Sequence, residues 1–492
     1  MERYLIGIDV GTTGTKALLF SESGKLLAHA YRGYPLSAPR VGWSEQLAED
    51  WWQAVVETVR EICPTEEIGH RVAAISLSTQ GGTIVPTDAQ GNALRPSLVW
   101  NDARGAAEKE KFLREVGGDD IMYGVSGWHL GNGLPALLIR WIKDNQPEIF
   151  EKAAFFLSVP DYVSMKMTGI PAADKSNVGI NQLYDIRKGH YCKDILEFAG
   201  IREEQLPKVV SSGETIGHLT EEAAKALGLT TEAVLVGGAH DQYAVALGAG
   251  ATKDGDILIG SGTCWVVTAI GNEPDFESGL AQSVAAVPGK WGSILSLSTG
   301  GVCLDWLRKE VAEESGMSYA AINETLHQRD AAKEDLFFFP FTGKAGESRK
   351  FSKASFTGLD LSHDRFHMAK AVMEGVAFQA LWMMESFRAK PTEAGIILSG
   401  GASKSPVWTQ LVADISGLPV RIPEVADLAC VGAAIMAGAG SGVFETLEDG
   451  YRALAVKERQ VMPDLQQTKE YAPLVKKYRK QAEILGQLYE EE

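Results

Sequence analysis

Short apolar runs alternate with amphipathic stretches along most of the chain. The runs at residues 4–9, 72–78 and 256–260 are bounded by glycine or polar residues, which is typical of buried strands. Residues 48–62 instead repeat apolar side chains at helical spacing. Strands that alternate with helices predict an α/β protein. Residues 176–185 are polar and rich in turn formers, so the pattern predicts turns there.

The apolar run at residues 234–240 ends in Asp241, close to the middle of the chain. It predicts a short buried strand with a glycine pair, followed by a helix that ends near Gly248. An acid at such a strand end faces a cleft, while a rigid element holds it in place. We therefore expect Asp241 to be the general base of a phosphoryl transfer, placed where two similar domains meet.

A small polar turn, residues 11–14, joins the first two predicted strands. Its glycines, Thr12 and Thr13 offer several backbone amides and hydroxyls in one place, which suits phosphate oxygens. Lys16 follows the turn and adds a positive charge, and Asp9 at the strand end has the chemistry to hold Mg²⁺. The alternative is a plain hairpin with a polar turn, which is the commoner meaning of an isolated Gly-Thr-Thr-Gly.

The same layout returns in the second half of the chain. Strand 256–260, a turn that contains Gly262 and Thr263, and strand 265–270 repeat the order of the first hairpin. A repeat at about half the chain length makes a domain duplication plausible, and it predicts domains at residues 1–245 and 246–492. Two such hairpins that face each other would grip the phosphates of a nucleotide from both sides.

Polar groups also follow two other predicted strands. Thr79 and Gln80 come after one strand, and Trp100, Asn101 and Asp102 end another, before a helix expected to open at 103–104. Amides and carboxylates bind hydroxyls and an indole packs on the CH face of a sugar, so these groups suit a small polyol site. Surface loops with capping residues explain the same sequence equally well.

A glycine turn at residues 400–401 joins a strand to a helix predicted at residues 405–416. The two glycines, Gly400 and Gly401, would let a base or ribose approach the backbone beside a helix N-terminus. Ala402 and Ser405 follow them and are expected to bind the nucleotide as well. A simple strand-to-helix turn is the competing interpretation.

Length, charge and cysteine content narrow the class of protein. A chain of 492 residues predicts two domains, and a net charge of −17 argues against nucleic acid or an anionic membrane as partner. Five cysteines without paired spacing indicate free thiols in a reducing, cytoplasmic setting. We find neither a signal peptide nor an apolar run long enough to cross a membrane.

Taken together, the motifs resemble those of the FGGY family of carbohydrate kinases over nearly the whole chain. The matching runs are Asp9-Val10-Gly11-Thr12-Thr13, Trp43-Ser44-Glu45-Gln46, Trp100-Asn101-Asp102-Ala103-Arg104, Gly400-Gly401-Ala402-Ser403, and Ala354-Ser355-Phe356-Thr357-Gly358-Leu359 followed by His367-Met368 and Ala371-Val372-Met373-Glu374. Their order and spacing fit the family's pattern.

The resemblance implies two actin/hexokinase-like (ribonuclease H-like) domains flanking a deep catalytic cleft, with the sugar mainly on the first domain and ATP mainly on the second. It implies that Asp241 takes the proton of the attacking hydroxyl and that Asp9 assists through Mg²⁺. By the same resemblance the phosphates are lined by Thr12, Thr13 and Thr263, the nucleotide by Gly301, Gly401 and Ser405, and the sugar by Gln242, Thr79 and Gln80. The expected partners are a small sugar and ATP, and homodimers are common in the family.

The substrate is expected from the loop at residues 79–82. Glycerol kinases of the family carry an Arg-Glu pair there, whereas this chain has Thr-Gln-Gly-Gly, which disfavours glycerol. The Trp-Asn-Asp-x-Arg and Trp-Ser-Glu-Gln runs are shared with xylulokinases, which implies D-xylulose as the leading substrate. Other ketoses or sugar alcohols (ribulose, erythritol or a deoxy sugar) remain alternatives, and an actin-like ATPase is the alternative from another class.

Overall fold

The computed structural model describes residues 2–311, 317–328, 335–341, 353–425, 427–454 and 456–489. They form two compact units. The first contains residues 1–252, 272–293 and 425–456, and the second contains residues 253–271, 294–424 and 457–492. The predicted boundary between residues 245 and 246 differs from this division, because it falls inside a helix and because two later segments return to the first unit.

The strands, in chain order, are β1 (Tyr4–Val10), β2 (Gly14–Ser21), β3 (Leu26–Gly33), β4 (Glu45–Gln46), β5 (Val72–Thr79), β6 (Val85–Thr87), β7 (Ser97–Leu98), β8 (Phe155–Leu157), β9 (Ala172–Asp174), β10 (Tyr184–Asp185), β11 (His190–Tyr191), β12 (Lys208–Val210), β13 (Thr215–His218), β14 (Val234–His240), β15 (Ile257–Ser261), β16 (Trp265–Gly271), β17 (Ala281–Val284), β18 (Trp291–Leu297), β19 (Phe337–Phe339), β20 (Ser355–Thr357), β21 (Ile396–Gly400), β22 (Val420–Pro423) and β23 (Glu458–Val461).

The α-helices are α1 (Ala48–Ile62), α2 (Glu66–His70), α3 (Ala106–Glu115), α4 (Asp119–Ser126), α5 (Pro135–Asn145), α6 (Pro147–Lys152), α7 (Val159–Thr168), α8 (Lys175–Ile180), α9 (Lys193–Ala199), α10 (Glu221–Leu227), α11 (Asp241–Gly248), α12 (Gly301–Trp306), α13 (Tyr319–Gln328), α14 (Arg365–Met384), α15 (Pro406–Ser416), α16 (Leu428–Gly440), α17 (Leu447–Ala453) and α18 (Leu465–Tyr489). Short 3₁₀ turns lie at Glu203–Gln205 and Ala402–Lys404, and a π-helical segment lies at Leu307–Val311.

The first unit is organised around a six-stranded sheet in the order β13-β14-β5-β1-β2-β3. β1 and β2 form an antiparallel hairpin, β5 and β14 run parallel to β1, and β13 is an antiparallel edge. The apolar side chains of these strands are buried together with those of α1, α7 and α10. Helix α1 spans residues 48–62 as predicted, and its core face includes the fully buried Trp51.

The second unit repeats this topology. Its sheet contains β18, β16, β15, β21, β22 and β23 in that spatial order. β15 and β16 form the antiparallel hairpin, β21 and β22 follow in parallel, and β23 is the antiparallel edge. The same strand arrangement in both units supports the domain duplication expected from the repeated hairpin.

Helix α16 shows why residues 425–456 belong to the first unit. It packs on β1, where the backbones approach so closely that a Cβ at Gly7 would lie 1.9 Å from the carbonyl oxygen of Cys430. Only glycine allows this contact. In the described part of the chain, no helix has the length and apolar character needed to cross a membrane.

Two local predictions were wrong. Residues 175–180 form α8 rather than turns, because the Asp174 side chain caps this helix by accepting from the backbone N–H groups of Ser176 and Asn177. The helix expected at residues 103–104 begins instead at Ala106, because Arg104 turns into the protein interior.

Candidate active site

Three parallel strands of the first unit end at one edge of the sheet. In their register, Asp9 of β1 lies beside Ser78 of β5, and Thr79 of β5 lies beside His240 at the end of β14. The carboxyl ends of parallel strands are where α/β sheets place their ligand sites. The fold therefore gathers Asp9, Thr79 and Asp241 at one edge, although 232 positions separate the two acids in the sequence (241 − 9).

A group of opposite charges lies at this edge. The ammonium group of Lys16 lies 2.6 Å from Asp427 Oδ2 and 3.9 Å from Asp9 Oδ2. Asp427 also caps α16, with its Oδ1 accepting a hydrogen bond from the backbone N–H of Cys430. Ser78 donates a hydrogen bond of 2.8 Å to Asp9 Oδ1. Lys16 is thus committed to two carboxylates in this structure.

The environment changes the protonation of both partners. Burial, followed by the negative charge of Asp427, raises the pKa of Asp9 to about 7. Burial opposes the charge of Lys16, but the hydrogen bond and charge of Asp427 outweigh it, so that the pKa of Lys16 is raised. A carboxyl group poised near neutrality in this way is typical of functional sites.

Asp9 has the chemistry to hold Mg²⁺. One of its oxygens is free of hydrogen bonds within the described residues, and a cation would stabilise a carboxylate that burial disfavours. Among those residues no group of three or more His, Cys, Asp or Glu side chains forms a metal cage. The arrangement fits Mg²⁺, which keeps several waters and shares one or two carboxylates with phosphate oxygens.

Asp241 is the first residue of α11, and its side chain is about a third exposed (36%). His240 precedes it as the N-cap residue, with its imidazole Nδ1 3.3 Å from Asp241 Oδ1. Gln242 is partly buried at the next position. The placement of Asp241 on a helix that directly continues a buried strand is the one expected from the sequence.

The polar turn between β1 and β2 is joined to the loop after β5 by a chain of hydrogen bonds. The Thr12 hydroxyl donates to Gln80 Oε1 at 2.9 Å, and Gln80 Nε2 donates to Gln46 Oε1 at 3.1 Å. Trp100 Nε1 in turn donates to the Thr12 hydroxyl. Each polar atom of the Gln80 amide thus makes one hydrogen bond to a protein group, and the contact of Gln80 with the sugar stays a prediction. The side chain of Thr13 is exposed.

Asp102 and Thr79 differ from the sequence-based expectation. The Asp102 carboxylate is fully buried and accepts from Ser44 N and from the backbone N, Nε and Nη2 of Arg104, at 2.7–2.8 Å. No oxygen is left for a sugar hydroxyl, so Asp102 supports the loop from within. Thr79 is fully buried too, and its hydroxyl donates to Asn177 at 3.4 Å. Only Trp100 and Asn101 of the predicted loop are exposed.

In the second unit, the turn after β15 contacts the start of α12. The backbone N–H of Gly301 donates to the carbonyl of Gly262, and that of Gly300 donates to Thr263. The backbone N–H of Gly401, just after β21, donates to the carbonyl of Ser261, the last residue of β15. Gly262, Thr263, Gly301 and Gly401 are thus brought together within the second unit. Their contact with a nucleotide, which the family resemblance implies, stays a prediction.

Two residues predicted beside the nucleotide, Ala402 and Ser405, make hydrogen bonds within the protein. Ala402 is buried, and its N–H donates to the Ser261 hydroxyl. The Ser405 hydroxyl donates to Asn323 and accepts from Trp408 N as the N-cap of α15. Both residues therefore hold the turn before α15 together, and their contact with a nucleotide stays a prediction.

Sequence reasoning missed several residues of the site. Asp427 follows the pattern of an N-cap before a small-residue helix, which is the only local signal it carries. Its ion pair with Lys16 joins residues 411 positions apart, and no pattern in the sequence indicates it. Ser78 lies in the buried strand β5, and its contact with Asp9 follows from strand register. Gln46 lies in the short strand β4, and its contacts with Thr12 and Gln80 depend on tertiary packing.

Comparisons with known proteins agree with the motifs. Residues 4–248 match the N-terminal domain of the FGGY family of carbohydrate kinases, and residues 256–441 match its C-terminal domain. The chain is 28% identical to the L-xylulose/3-keto-L-gulonate kinase of Escherichia coli (99% of this chain, 98% of that protein) and 29% identical to the gluconokinase of Bacillus subtilis (91% and 90%). The crystal structure of xylulose kinase from Rhodospirillum rubrum superposes with a TM-score of 0.90 at 27% identity (99% and 100%). On these grounds the chain belongs to the FGGY family of carbohydrate kinases.

Proposed function

We propose that this carbohydrate kinase transfers the γ-phosphoryl group of ATP to a hydroxyl of a small ketose or polyol. D-xylulose, giving D-xylulose 5-phosphate, is the leading substrate. The observation that carries the proposal is the placement of Asp241 and Asp9 at one sheet edge, on rigid elements, next to a turn whose Thr13 side chain is exposed.

Asp241 is the proposed general base. An ionised carboxylate accepts the proton of the hydroxyl as its oxygen attacks phosphorus, which needs a hydrogen bond between the two oxygens. The Asp241 side chain is exposed enough to meet a substrate (36%), unlike the fully buried Asp102. Because α11 directly continues β14, the base keeps its orientation while the substrate changes.

Asp9 is the proposed ligand of Mg²⁺. When bound, the ion supplies charge neutralisation for the phosphates of ATP. Asp9 stays aimed at this position through the hydrogen bond from Ser78, and Lys16 lies beside it with a second positive charge. In the first unit the exposed Thr13 is a proposed phosphate contact. In the second unit, taken by itself, the exposed Gly262 and Thr263 are proposed for the same chemistry.

The identity of the sugar rests on the names of relatives and on two exposed side chains. The relatives at 28–29% identity are named for L-xylulose, 3-keto-L-gulonate and gluconate, and the structural neighbour is named for xylulose. The exposed Trp100 and Asn101 provide an indole and an amide for a polyol. A ketopentose fits both the names and these groups, and a sugar acid is the second candidate because two of the named substrates are acids.

The test is ADP release in a coupled assay with Mg-ATP across ketoses, aldoses, polyols and aldonates. Asp241→Asn is the probe. Asp194→Asn, an exposed acid in the first turn of α9, is the matched control. We expect one ketopentose to stimulate ADP release strongly, the probe to lose at least a hundredfold in kcat, and the control to keep it.

Equal ADP release with and without any sugar would contradict the proposal and favour an ATPase. Strong stimulation by gluconate or 3-keto-L-gulonate would keep the kinase and replace D-xylulose. Full activity of Asp241→Asn would remove Asp241 from the role of base.

A further inference from the structure

The imidazole of His240 occupies an unusual position beside the proposed base. Its backbone N–H donates to the Ser176 hydroxyl at 2.8 Å, so the end of β14 is held in place. The side chain is only 8% exposed, yet Nδ1 makes no hydrogen bond within the described part of the chain. This nitrogen lies 3.3 Å from Asp241 Oδ1, outside hydrogen-bond geometry.

The ring is confined on several sides. A Cβ added to Gly81 would lie 2.5 Å from Cδ2 of His240, so the imidazole fills the space next to Gly81. The rings of Tyr243 and Trp128 lie 5.8 Å and 6.3 Å from it, centroid to centroid. A buried polar atom without a partner costs free energy, and a packed ring cannot turn to find one. The nitrogen is therefore placed for a group that the protein does not itself supply.

Gln182, which contacts the backbone of Trp128, also carries a buried polar atom without a partner among the described residues. Gln182 donates through Nε2 to the carbonyls of Trp128 and His129, at 3.4 Å and 2.7 Å, while its Oε1 has no partner in the described residues. Its φ of 61° lies in the left-handed region, which a non-glycine residue adopts at a cost. The residue that holds the backbone carbonyls of Trp128 and His129 thus combines a strained backbone with a buried oxygen that has no partner in the described residues.

The spacing of the two groups has a chemical meaning. A hydroxyl that donates its proton to Asp241 puts its carbon beside His240. Gauche hydroxyls on neighbouring carbons lie about a hydrogen-bond length apart, comparable with the 3.3 Å between Asp241 Oδ1 and His240 Nδ1. The imidazole nitrogen can accept or donate according to its tautomer, so it suits a hydroxyl of either orientation.

We infer that His240 binds the hydroxyl on the carbon next to the one that is phosphorylated, so that the enzyme selects vicinal diols. Gly81 is required for this role because any side chain there displaces the ring. The inference rests on the proposed kinase function with Asp241 as base. A histidine that only packs between aromatic rings would leave selection among hydroxyl patterns unchanged.

The test compares D-xylulose with its analogue that lacks the C4 hydroxyl, in wild type, His240→Leu and His240→Asn. In wild type we expect kcat/KM to be about ten- to a hundredfold lower for the deoxy analogue. His240→Leu should lower kcat/KM for D-xylulose by a similar factor and abolish the difference between the two sugars. His240→Asn, which keeps a polar nitrogen near the same place, should restore part of it, and KM for ATP should not change.

Gly81→Ala provides an independent route, since it leaves the histidine in the chain and moves its ring. It should reduce discrimination in the same direction, with thermal unfolding monitored to establish that each variant folds. If His240→Leu and Gly81→Ala both still discriminate between D-xylulose and its deoxy analogue, the inference about His240 is overturned while the proposed function stands. If neither D-xylulose nor any other hydroxyl compound supports Asp241-dependent ADP release, the proposed function and the inference fall together.

Discussion

The buried ion pair between Arg104 and Asp102 gives the sharpest prediction about the loop at residues 100–104. Arg104 donates to both carboxylate oxygens of Asp102 through Nε and Nη2, and to Glu45 through Nη1 at 2.9 Å. Its guanidinium lies 3.9 Å from the ring centroid of Trp43. Arg104→Met fills most of the same slot but leaves Asp102 with two backbone donors, from Ser44 and from residue 104 itself.

The expected loss is large because the remaining charge cannot reach water. The side chains of Arg104 and Asp102 are 1% and 0% exposed. Removing one partner of such a pair costs about 3–5 kcal/mol in free energy of unfolding, which lowers Tm by roughly 6–10 °C in a unit of this size. The double variant Arg104→Met/Asp102→Leu removes both charges together, so its loss should be smaller than the sum of the single losses by about 1–3 kcal/mol.

The measurement is urea unfolding followed by tryptophan fluorescence, together with kcat and KM for the sugar. Arg452→Met is the control, because its ion pair with Glu448 is exposed (68% and 53%) and should contribute within about 0.5 kcal/mol. Asp102→Asn decides the role of the carboxylate. If it leaves unfolding within about 0.5 kcal/mol of wild type and instead raises KM for the sugar, Asp102 is a sugar ligand and the structural argument is wrong.

Three further predictions concern other parts of the first unit. Gly7→Ala places a carbon 1.9 Å from a backbone oxygen of α16, so it should destabilise by about 1–3 kcal/mol in urea unfolding. In Gly124→Ala the added carbon would lie 3.8 Å from Nη2 of Arg187, its nearest neighbour outside its own helix among the described residues, so this variant should keep its stability. Equal effects would contradict the packing argument. Asp427→Asn keeps the N-cap of α16 but removes the charge that holds Lys16. KM for Mg-ATP should therefore rise about tenfold, with little change in Tm. An unchanged KM would show that the ion pair between Asp427 and Lys16 has no part in nucleotide binding. Burial raises the pKa of Asp161 to about 6 in the folded protein. The contribution of Asp161 to stability is therefore present below pH 4 and is lost as the pH rises through 6. Asp161→Asn should gain stability relative to wild type between pH 4.5 and pH 7.5, and a difference that stays constant with pH would refute this.

Local patterns in the sequence determined most of the secondary structure and the position of the proposed base. The apolar run ending in Asp241 is a buried strand followed by a helix, as its pattern predicts, because strand burial and helix periodicity are recorded in neighbouring residues. The repeated hairpin similarly indicated two related units, and six strands of the second sheet repeat the arrangement of the first. The family motifs, spread over the whole chain, correctly identified the family.

Tertiary structure alone decided which polar side chains remain available to a ligand. Asp102, Gln80 and Ser405 stand in the motifs as plausible ligands, but their polar atoms are used by Arg104, Thr12 and Asn323. Local sequence cannot distinguish the two cases, because a carboxylate or amide has the same chemistry whether it faces a cleft or a buried guanidinium. Burial depends on which distant segment packs over the residue.

The same reason explains the residues that were not foreseen. Asp427 reaches Lys16 because α16 packs on β1 through Gly7, and the His240 ring takes its place because Gly81 has no side chain. Such contacts depend on chain crossings between residues hundreds of positions apart, or on the absence of a side chain. The sequence by itself determined the elements, the repeat and the acid at the strand end; packing between elements decided the charges around Asp9 and the wall beside Asp241.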